Sequence, residues 1–245
     1  MKIISLNTWA GVLHQDLLEF FRKYQKDTDI FCLQEIYKGT TEQEDPHPTL
    51  TMQYDLFEQL EELLIATHVG YFHPAFKDFY GQAMFIKKEV VVQEIGDVMV
   101  FRNDDPKGRG SHSRNLQFAK IAAADKFFWI ANVHGLWNGK GKTDTPARIE
   151  QSNNIVNFLK QRGGEIILIG DFNLSNNTQS LKIIADQYRN LIAEYGITNT
   201  RTSHYEKDVR YADYAFTSSD VHVIDFKVLP DEVSDHAALQ LEINI

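Results

Sequence analysis

The 245-residue sequence contains one cysteine, six prolines and no hydrophobic run long enough to cross a membrane. A single cysteine excludes an intrachain disulfide and a zinc site built from cysteines, and we expect Cys32 to be a buried strand residue. No apolar stretch approaches the ~20 residues of a transmembrane helix. The N-terminus also lacks the pattern of a signal peptide. We therefore expect a cytoplasmic protein.

Basic residues are also in short supply, because 25 Lys and Arg stand against 34 Asp and Glu, for a net charge of −9. Negative charge opposes non-specific binding to long nucleic acids, since that affinity grows with the number of phosphates neutralised. We expect no stable nucleic-acid partner, although a local basic groove stays compatible with the sequence. No repeat or linker divides the chain. One domain over 1–245, and a monomer, is expected.

Apolar, β-rich segments recur along the chain, with helical periodicity between some of them. The periodicity predicts helices over 14–26 and 54–66, and a third that begins with Thr145 as N-cap and Pro146 as its first residue. The predicted strands are 2–6, 30–34, 83–86, 90–92, 117–122, 127–133, 166–169, 211–217, 221–229 and 238–243. Because helices and strands do not alternate regularly, the pattern predicts sheets faced by helices.

Several of these apolar segments lead into a carboxylate, an amide or an imidazole. The residues concerned are Asn7, Glu35, His134, Asp171, Asn173, Asp213, Asp235 and His236. Each has an ordinary structural explanation on its own: Asn7 and Asp171 could close turns, and His134 could be a core histidine. To explain the whole set in this way, the same kind of coincidence would have to occur at each of several strand ends. Strands hold side chains rigidly at one edge of a sheet, so the set predicts a functional site.

The donor types indicate the chemistry. Oxygen donors without cysteine, and with few histidines, suit a hard cation such as Mg²⁺ or Mn²⁺ better than zinc. Such a site fits phosphate-ester hydrolysis: the metal neutralises charge on the phosphoryl group and a carboxylate orients or deprotonates water. An imidazolium would stabilise the charge of the transition state, and an Asp–His pair would hold that ring protonated.

Six short motifs together resemble the endonuclease/exonuclease/phosphatase superfamily. They are Leu6-Asn7-Thr8-Trp9, Gln34-Glu35, Asn132-Val133-His134, Gly170-Asp171-Phe172-Asn173, Ala212-Asp213-Tyr214 and Ser234-Asp235-His236. Any one of them is a weak signal, but six in this order are specific and span nearly the whole chain. The resemblance implies a four-layered α/β sandwich, with two packed, mostly antiparallel sheets and helices on the outer faces.

The resemblance also implies a role for each position. Glu35 matches the principal ligand of Mg²⁺ or Mn²⁺, and Asn7 and Asp235 match residues close to the same ion. Asp171 matches the residue that orients or activates the attacking water, and Asn173 a donor to the scissile phosphate. His236 matches the phosphate-binding histidine, Asp213 its carboxylate partner, and His134 a second active-site histidine.

Substrate choice depends on loops and aromatic residues that the motifs do not cover. Two glycine-containing stretches, 102–114 and 134–148, carry a local excess of positive charge. In the second, Arg148 could reach back to the site, whereas Lys140 and Lys142 are better explained as residues of a solvated loop tip. Three aromatic residues could flank a cleft: Trp137 and Tyr80 are predicted substrate contacts, and core packing explains Phe79 better.

The sequence thus predicts a Mg²⁺- or Mn²⁺-dependent hydrolase of phosphate esters, with monoester and diester substrates both open. The first alternative is a DNA endonuclease or exonuclease. The second is a module that binds a phosphorylated ligand without turnover. The substrate itself could be a small molecule, a lipid or a nucleic acid.

Overall fold

A computed structural model describes residues 1–41, 49–104, 111–123 and 126–244. The predicted surface loop at 42–48 lies outside them. The strands are β1 (Lys2–Asn7), β2 (Ile30–Tyr37), β3 (His68–Phe76), β4 (Tyr80–Lys87), β5 (Val92–Phe101), β6 (Arg114–Ala123), β7 (Lys126–His134), β8 (Glu165–Asp171), β9 (Arg189–Asn190), β10 (Asp213–Thr217), β11 (His222–Val228) and β12 (Leu239–Asn244). The helices are α1 (His14–Tyr24), α2 (Leu56–Leu64), α3 (Pro146–Lys160), α4 (Gln179–Ala185) and α5 (Leu191–Glu194).

The strands form two six-stranded sheets. Their orders are β11-β12-β1-β2-β4-β3 in the first sheet and β5-β6-β7-β8-β10-β9 in the second. Among the described pairings, β1 with β2 and β7 with β8 are parallel, and the others are antiparallel. The prediction of a sandwich of two mostly antiparallel sheets is therefore confirmed.

Alternating apolar side chains explain how the first sheet packs on both faces. On β1, Ile3 joins the core cluster shared with the second sheet, whereas Ile4 joins the cluster beneath the helices α1 and α2. Successive strand residues point to opposite faces, so one apolar strand can serve two layers. On β2, Cys32 faces the second sheet and Phe31 faces the helices. Cys32 is fully buried, as predicted.

The three predicted helices are present as α1, α2 and α3. At the start of α3 the Thr145 hydroxyl accepts a hydrogen bond from the backbone N–H of Arg148, and Pro146 follows the cap. This capping satisfies one of the free N–H groups of the first turn, as the sequence predicted. Within the described ranges, no helix has both the length and the apolar character needed to span a bilayer.

Four elements were not predicted, namely β3, β9, α4 and α5, and β5 runs to Phe101, well past the predicted strand 90–92. β3 lies at the edge of the first sheet, is mostly half-buried and contains Pro74, so its sequence shows no clean alternation of apolar and polar residues. Proline is tolerated at sheet edges because no ladder hydrogen bond is lost on the open side. α4 has seven residues, which is too short to show a helical period.

Buried amide side chains link the two sheets beneath the ends of β2 and β7. The Gln34 amide donates to the Asn132 Oδ1 atom at 2.6 Å, and the Asn132 amide donates to the Gln117 Oε1 atom at 3.2 Å and to the Leu33 carbonyl at 3.0 Å. Buried polar groups of this kind demand specific partners. The network therefore fixes how the two sheets stack next to Glu35 and His134.

Candidate active site

The two parallel strand pairs bring four predicted site residues to one edge of the sandwich. Asn7 is paired in register with Gln34, next to Glu35, at the ends of β1 and β2. His134 is paired in register with Asp171 at the ends of β7 and β8. Parallel strands end at the same edge, so each sheet delivers two polar side chains there. The two sets meet, because the Asn7 amide lies 3.0 Å from both the Glu35 Oε1 and the Asp171 Oδ2 atoms.

Local backbone strain is concentrated at this edge. Glu35 has a φ of 58° and lies where the pairing of β2 with β4 shifts register between Gln34 and Ile36. Asn173 has a φ of 54°, and its backbone N–H donates to the Asp171 carboxylate at 2.7 Å. Left-handed backbone is uncommon for residues other than glycine and costs about 1–3 kcal/mol. The bulge at Glu35 and the turn at Asn173 therefore orient these two side chains, and the strained backbone lowers the stability of the fold.

A cavity of about 560 Å³ opens at the same edge. Eight of the eleven predicted site residues line it: Glu35, Tyr80, His134, Trp137, Asp171, Asn173, Asp235 and His236. Two others contact lining residues from behind. Asn7 hydrogen-bonds Glu35 and Asp171, and Asp213 holds His236.

The two histidines of the cavity have opposite electrostatic environments. The His236 Nδ1 atom lies 2.8 and 2.9 Å from the two Asp213 carboxylate oxygens. Burial works to lower the pKa of His236, but the carboxylates of Asp213, Asp235 and Asp171 outweigh it and the pKa is raised. Burial and the nearby Arg114 guanidinium hold the pKa of His134 well below its usual range. The site therefore pairs a histidine whose protonated form is favoured, His236, with one whose neutral form is favoured, His134.

The carboxylates differ in the same way. Burial alone would raise the pKa of Asp171, but the charges of His236, Lys142 and other cations hold it below its ordinary value, so Asp171 is ionised at neutral pH. Burial raises the pKa of Glu35, and the charges of Asp235 and Asp171 add to that effect. Carboxylates that repel one another in a buried site are stabilised by a cation between them.

Ligands for a metal are available among these residues. In the described part of the chain, the compact group of metal-ligating atoms is that of Asp171, Asp213 and His236, whose atoms lie within 4.8 Å of one another. It shares no residue with the predicted set, Asn7, Glu35 and Asp235. Both groups belong to the same buried acidic and histidine-containing site, which could bind a metal ion.

Arg148 lies under the segment 135–145, which joins β7 to α3 and which we call the strap. It is 1% exposed. The Arg148 Nε atom donates to the Leu136 carbonyl at 3.1 Å and the Nη1 atom to the Thr143 carbonyl at 2.6 Å. The guanidinium thus holds both ends of the strap from below and is not among the described residues that line the cavity.

Lys142 corrects one expectation. The prediction of a solvated loop tip holds for Lys140, which is exposed, but Lys142 is buried and lines the cavity. The Lys142 ammonium donates to the Asn173 Oδ1 atom at 2.9 Å. Positive φ values at Gly139 and Gly141 turn the strap back on itself, which returns Lys142 to the site. The glycines were visible in the sequence, but the direction of the turn was not.

Further basic residues line the cavity, among them Arg201, which was not predicted, and Arg114, the last residue of the basic stretch 102–114. Arg201, on an isolated bridge to His236, forms an ion pair with Asp235 at 3.0 Å and lies over the Tyr205 ring at 4.0 Å. Arg114 begins β6, is buried and also lines the cavity. Of the basic stretch 102–114, residues 105–110 lie outside the described ranges. No motif marked Arg201, because its segment carries little strand or helix pattern.

The predicted aromatic contacts sit at the cavity wall. Tyr80 packs edge-on against His134, with ring centroids 6.4 Å apart. The Trp137 ring has the ammonium groups of Lys142 and Lys207 at 5.8 and 5.7 Å from its centroid. Phe79 is buried in a small cluster with Tyr37, in agreement with the core-packing interpretation.

The sequence profile of the Endonuclease/Exonuclease/phosphatase family matches residues 4–236 of this chain. The chain belongs to that family. Members of the endonuclease/exonuclease/phosphatase family hydrolyse phosphate esters, so the protein is an enzyme of the phosphoesterase class. The resemblance carried by the six motifs is thereby confirmed.

Solved structures of other family proteins share the fold. A mannosyl-6-phosphatase from Bacteroides thetaiotaomicron superimposes with a TM-score of 0.76 at 19% identity, covering 100% of both chains. The human Nocturnin catalytic domain with bound sulfate gives 0.71 at 16% identity, covering 100% of this chain and 94% of that one. TDP2 from D. rerio, in complex with a single-stranded DNA product, gives 0.70 at 17% identity, covering 100% and 99%. No curated protein sequence matches the chain.

Proposed function

We propose that this family member is a Mg²⁺- or Mn²⁺-dependent hydrolase of phosphate esters that acts by attack of water on phosphorus. One observation carries the proposal: a protonated histidine, His236, faces an ionised carboxylate, Asp171, across 3.6 Å in a cavity lined by both sheets. A cation for the phosphate and an acceptor for the water are the two groups that such a reaction needs.

Asp171 positions the attacking water. A carboxylate whose pKa lies so far below neutrality is a weak base, so accepting a hydrogen bond from the water suits it better than removing a proton. His236 donates from its Nε2 atom to a phosphate oxygen, since Asp213 occupies Nδ1. Hydrolysis forms one phosphorus–oxygen bond to the water and breaks the ester bond, one proton of the water ends on the leaving oxygen, and an alcohol and a phosphate are released. Asn173 and His134 supply further contacts to the phosphate.

The predicted metal residues fit a hard divalent cation. Glu35 and Asp235 offer carboxylate oxygens, whereas the Asn7 Oδ1 atom already accepts the Trp9 backbone N–H at 3.0 Å. Burial raises the pKa of Glu35, and the charges of Asp235 and Asp171 add to it, as expected where a cation relieves repulsion between carboxylates. Glu35 and Asp235 would hold the ion, with Asn7 close to it. A bound divalent cation would neutralise charge on the phosphoryl group.

The cavity favours a small phosphorylated substrate. A volume of about 560 Å³ lies within the range of small-molecule sites, roughly 300–1,000 Å³. The chain is acidic, with a net charge of −9, which opposes the binding of a long duplex. Among the structural relatives, the mannosyl-6-phosphatase is named for a small phosphorylated sugar.

The test is hydrolysis of a substrate panel by the purified protein. The panel holds a phosphomonoester, a phosphodiester, plasmid DNA, an abasic-site duplex and sphingomyelin, each with Mg²⁺, Mn²⁺ or EDTA. We expect metal-dependent turnover of a small ester that is lost in Asp171→Asn, which controls for contaminating enzymes. Cleavage of the DNA substrates alone would favour the nuclease alternative. Ligand binding without any turnover would favour the binding-module alternative.

A further inference from the structure

The strap that carries Lys142 is a built element. The backbone N–H of Ser175 donates to the Lys142 carbonyl at 2.8 Å. The Asp144 carboxylate accepts the backbone N–H of Ser180 at 2.8 Å and its hydroxyl at 2.6 Å. Together with the grip of Arg148 from below, these bonds fix the strap on three sides. The position of Lys142 is therefore a property of the fold.

The ammonium group of Lys142 is buried without a compensating negative charge in direct contact. The residue is 4% exposed, and its ammonium group donates to the neutral amide oxygen of Asn173. Across the ranges that the structure describes, no carboxylate forms an ion pair with it. Burying a charge is costly unless it is paired. An anion that enters the cavity would supply the missing partner.

The cavity as a whole has the charge to attract such an anion. Its described lining includes four Lys or Arg residues against three Asp or Glu residues. The basic ones are Arg114, Lys142, Arg201 and Lys207, and the acidic ones are Glu35, Asp171 and Asp235. The protein as a whole is strongly acidic. The described lining thus has an excess of one Lys or Arg over Asp and Glu, in a molecule whose net charge is −9.

We propose that Lys142 binds a non-bridging oxygen of the substrate phosphate and thereby selects phosphomonoesters over phosphodiesters. A monoester carries about −1.5 to −2 charge at neutral pH and three non-bridging oxygens. A diester carries one charge and two such oxygens. Lys142, His236 and Asn173 provide three donors on the phosphate, one for each oxygen of a monoester. This inference rests on the function proposed above.

Lys142→Met tests the inference, because methionine retains an unbranched apolar stem of four atoms and lacks the ammonium group. The matched control is Lys140→Met, which makes the same change on the same strap at an exposed position that does not line the cavity. Retained thermal unfolding midpoints in both variants would show that the strap is intact.

Binding gives the first readout, by titration calorimetry in Mg²⁺ buffer with inorganic phosphate and with dimethyl phosphate, which carries the single charge of a diester. We expect Lys142→Met to weaken phosphate binding about tenfold or more and dimethyl phosphate binding less than about twofold. Lys140→Met should change neither by more than about twofold. Equal losses for both ligands, an unchanged phosphate affinity, or no phosphate binding by the wild type would each overturn the inference.

Turnover gives the second readout, with p-nitrophenyl phosphate and methyl p-nitrophenyl phosphate, which share a leaving group and differ in ester class. We expect the wild type to favour the monoester, and Lys142→Met to lose most of that preference in kcat/KM. A preference for the diester that Lys142→Met leaves unchanged would contradict the inference. If the wild type hydrolyses neither ester nor any member of the earlier panel, the proposed function fails. The binding titrations decide the role of Lys142 in either case.

Discussion

Glu35 has its side chain aimed by a strained backbone, and that strain makes it a sensitive probe of the site. At the bulge of β2 it carries the φ of 58° that places it beside Asn7. A residue held so is expected to have a function that offsets its cost in stability. We infer that the function is to hold a divalent cation.

Glu35→Gln keeps the size of the side chain and removes its charge. We expect the Mg²⁺ or Mn²⁺ concentration for half-maximal rate to rise by about tenfold or more, because a charged oxygen ligand is lost. Initial rates measured across a metal titration check this. Glu89→Gln, at an exposed position, is the control. An unchanged metal requirement in Glu35→Gln would remove Glu35 from the ligand set.

Asp171→Asn is the corresponding test of the water-positioning residue. The amide can replace the carboxylate oxygen that accepts the Asn173 N–H, so the fold should persist. We expect kcat to fall by about 10²–10⁴-fold, the usual contribution of such a group. Steady-state kinetics and a thermal unfolding curve separate the two effects. A variant that turns over at nearly the wild-type rate would show that the water is held elsewhere.

Residue identities were predictable where a short polar motif follows an apolar strand. Asn7, Asp171 and His236 were found in this way. Lys142 and Arg201 were not, because what brings them into the cavity is the path of loops through space. That path depends on hydrogen bonds between segments far apart in the chain, such as Ser175 to Lys142.

The strap is the feature that matters most at the scale of elements. Arg148 holds the strap through the carbonyls of Leu136 and Thr143, whereas the sequence predicted that this residue contacts the substrate. The helix cap at Thr145 was readable, since threonine before proline is a local signal. The support of the strap by Arg148 of α3 could not be predicted, because no local sequence pattern indicates it.

Arg148→Met distinguishes the two roles. We expect a loss of about 2–3 kcal/mol in the free energy of unfolding, because two carbonyl groups lose their donors, together with a fall in kcat/KM. Urea denaturation and kinetics measure the two. The control, Arg22→Met, removes an exposed ion pair of α1 and should cost less than about 0.5 kcal/mol. A raised KM with full stability would instead indicate a direct substrate contact.

At the scale of the whole molecule, the sequence predicted the layered architecture, whereas elements without a clear periodicity were missed. β3 escaped because an edge strand with Pro74 is half-exposed and irregular. The site could be predicted as a set of residue types, but its cavity depends on how two sheets stack. That stacking is fixed by side chains such as Gln117, which belongs to no motif and whose amide donates to the Tyr71 carbonyl of the other sheet at 2.8 Å.

Buried neutral histidines make the stability of the whole molecule depend on pH. Burial and the Arg114 charge lower the pKa of His112 to about 3, and burial also lowers the pKa of His68 and His73. Below pH of about 6.5, these histidines are protonated in the unfolded chain but stay neutral in the folded chain. The free energy of unfolding therefore falls as pH falls toward 3. At pH 5, His112 alone should cost about 2 kcal/mol relative to pH 7.5.

Urea denaturation at pH 5 and 7.5, with His112→Asn alongside, measures this dependence. The His112 Nδ1–H donates to the Ser113 carbonyl and its Nε2 atom accepts from Arg114, which is the pattern of a neutral ring. We expect the variant to show a difference between the two pH values that is smaller by about the same 2 kcal/mol. Equal stability of the wild type at both pH values would contradict the prediction.

The position of β12 has a consequence for biosynthesis. β1 lies between β12 and β2, and the Met1 ammonium donates to the Ile243 carbonyl at 2.7 Å, so the first of the described strands is completed by the last of them. Until β12 has been synthesised, β1, which bears Asn7, has no hydrogen-bonded neighbour on one side. We expect chains stalled before β12 to stay protease-sensitive and inactive, and resistance in such chains would refute this. Catalytic competence would then depend on residues 239–244 having been synthesised and added to the first sheet as β12.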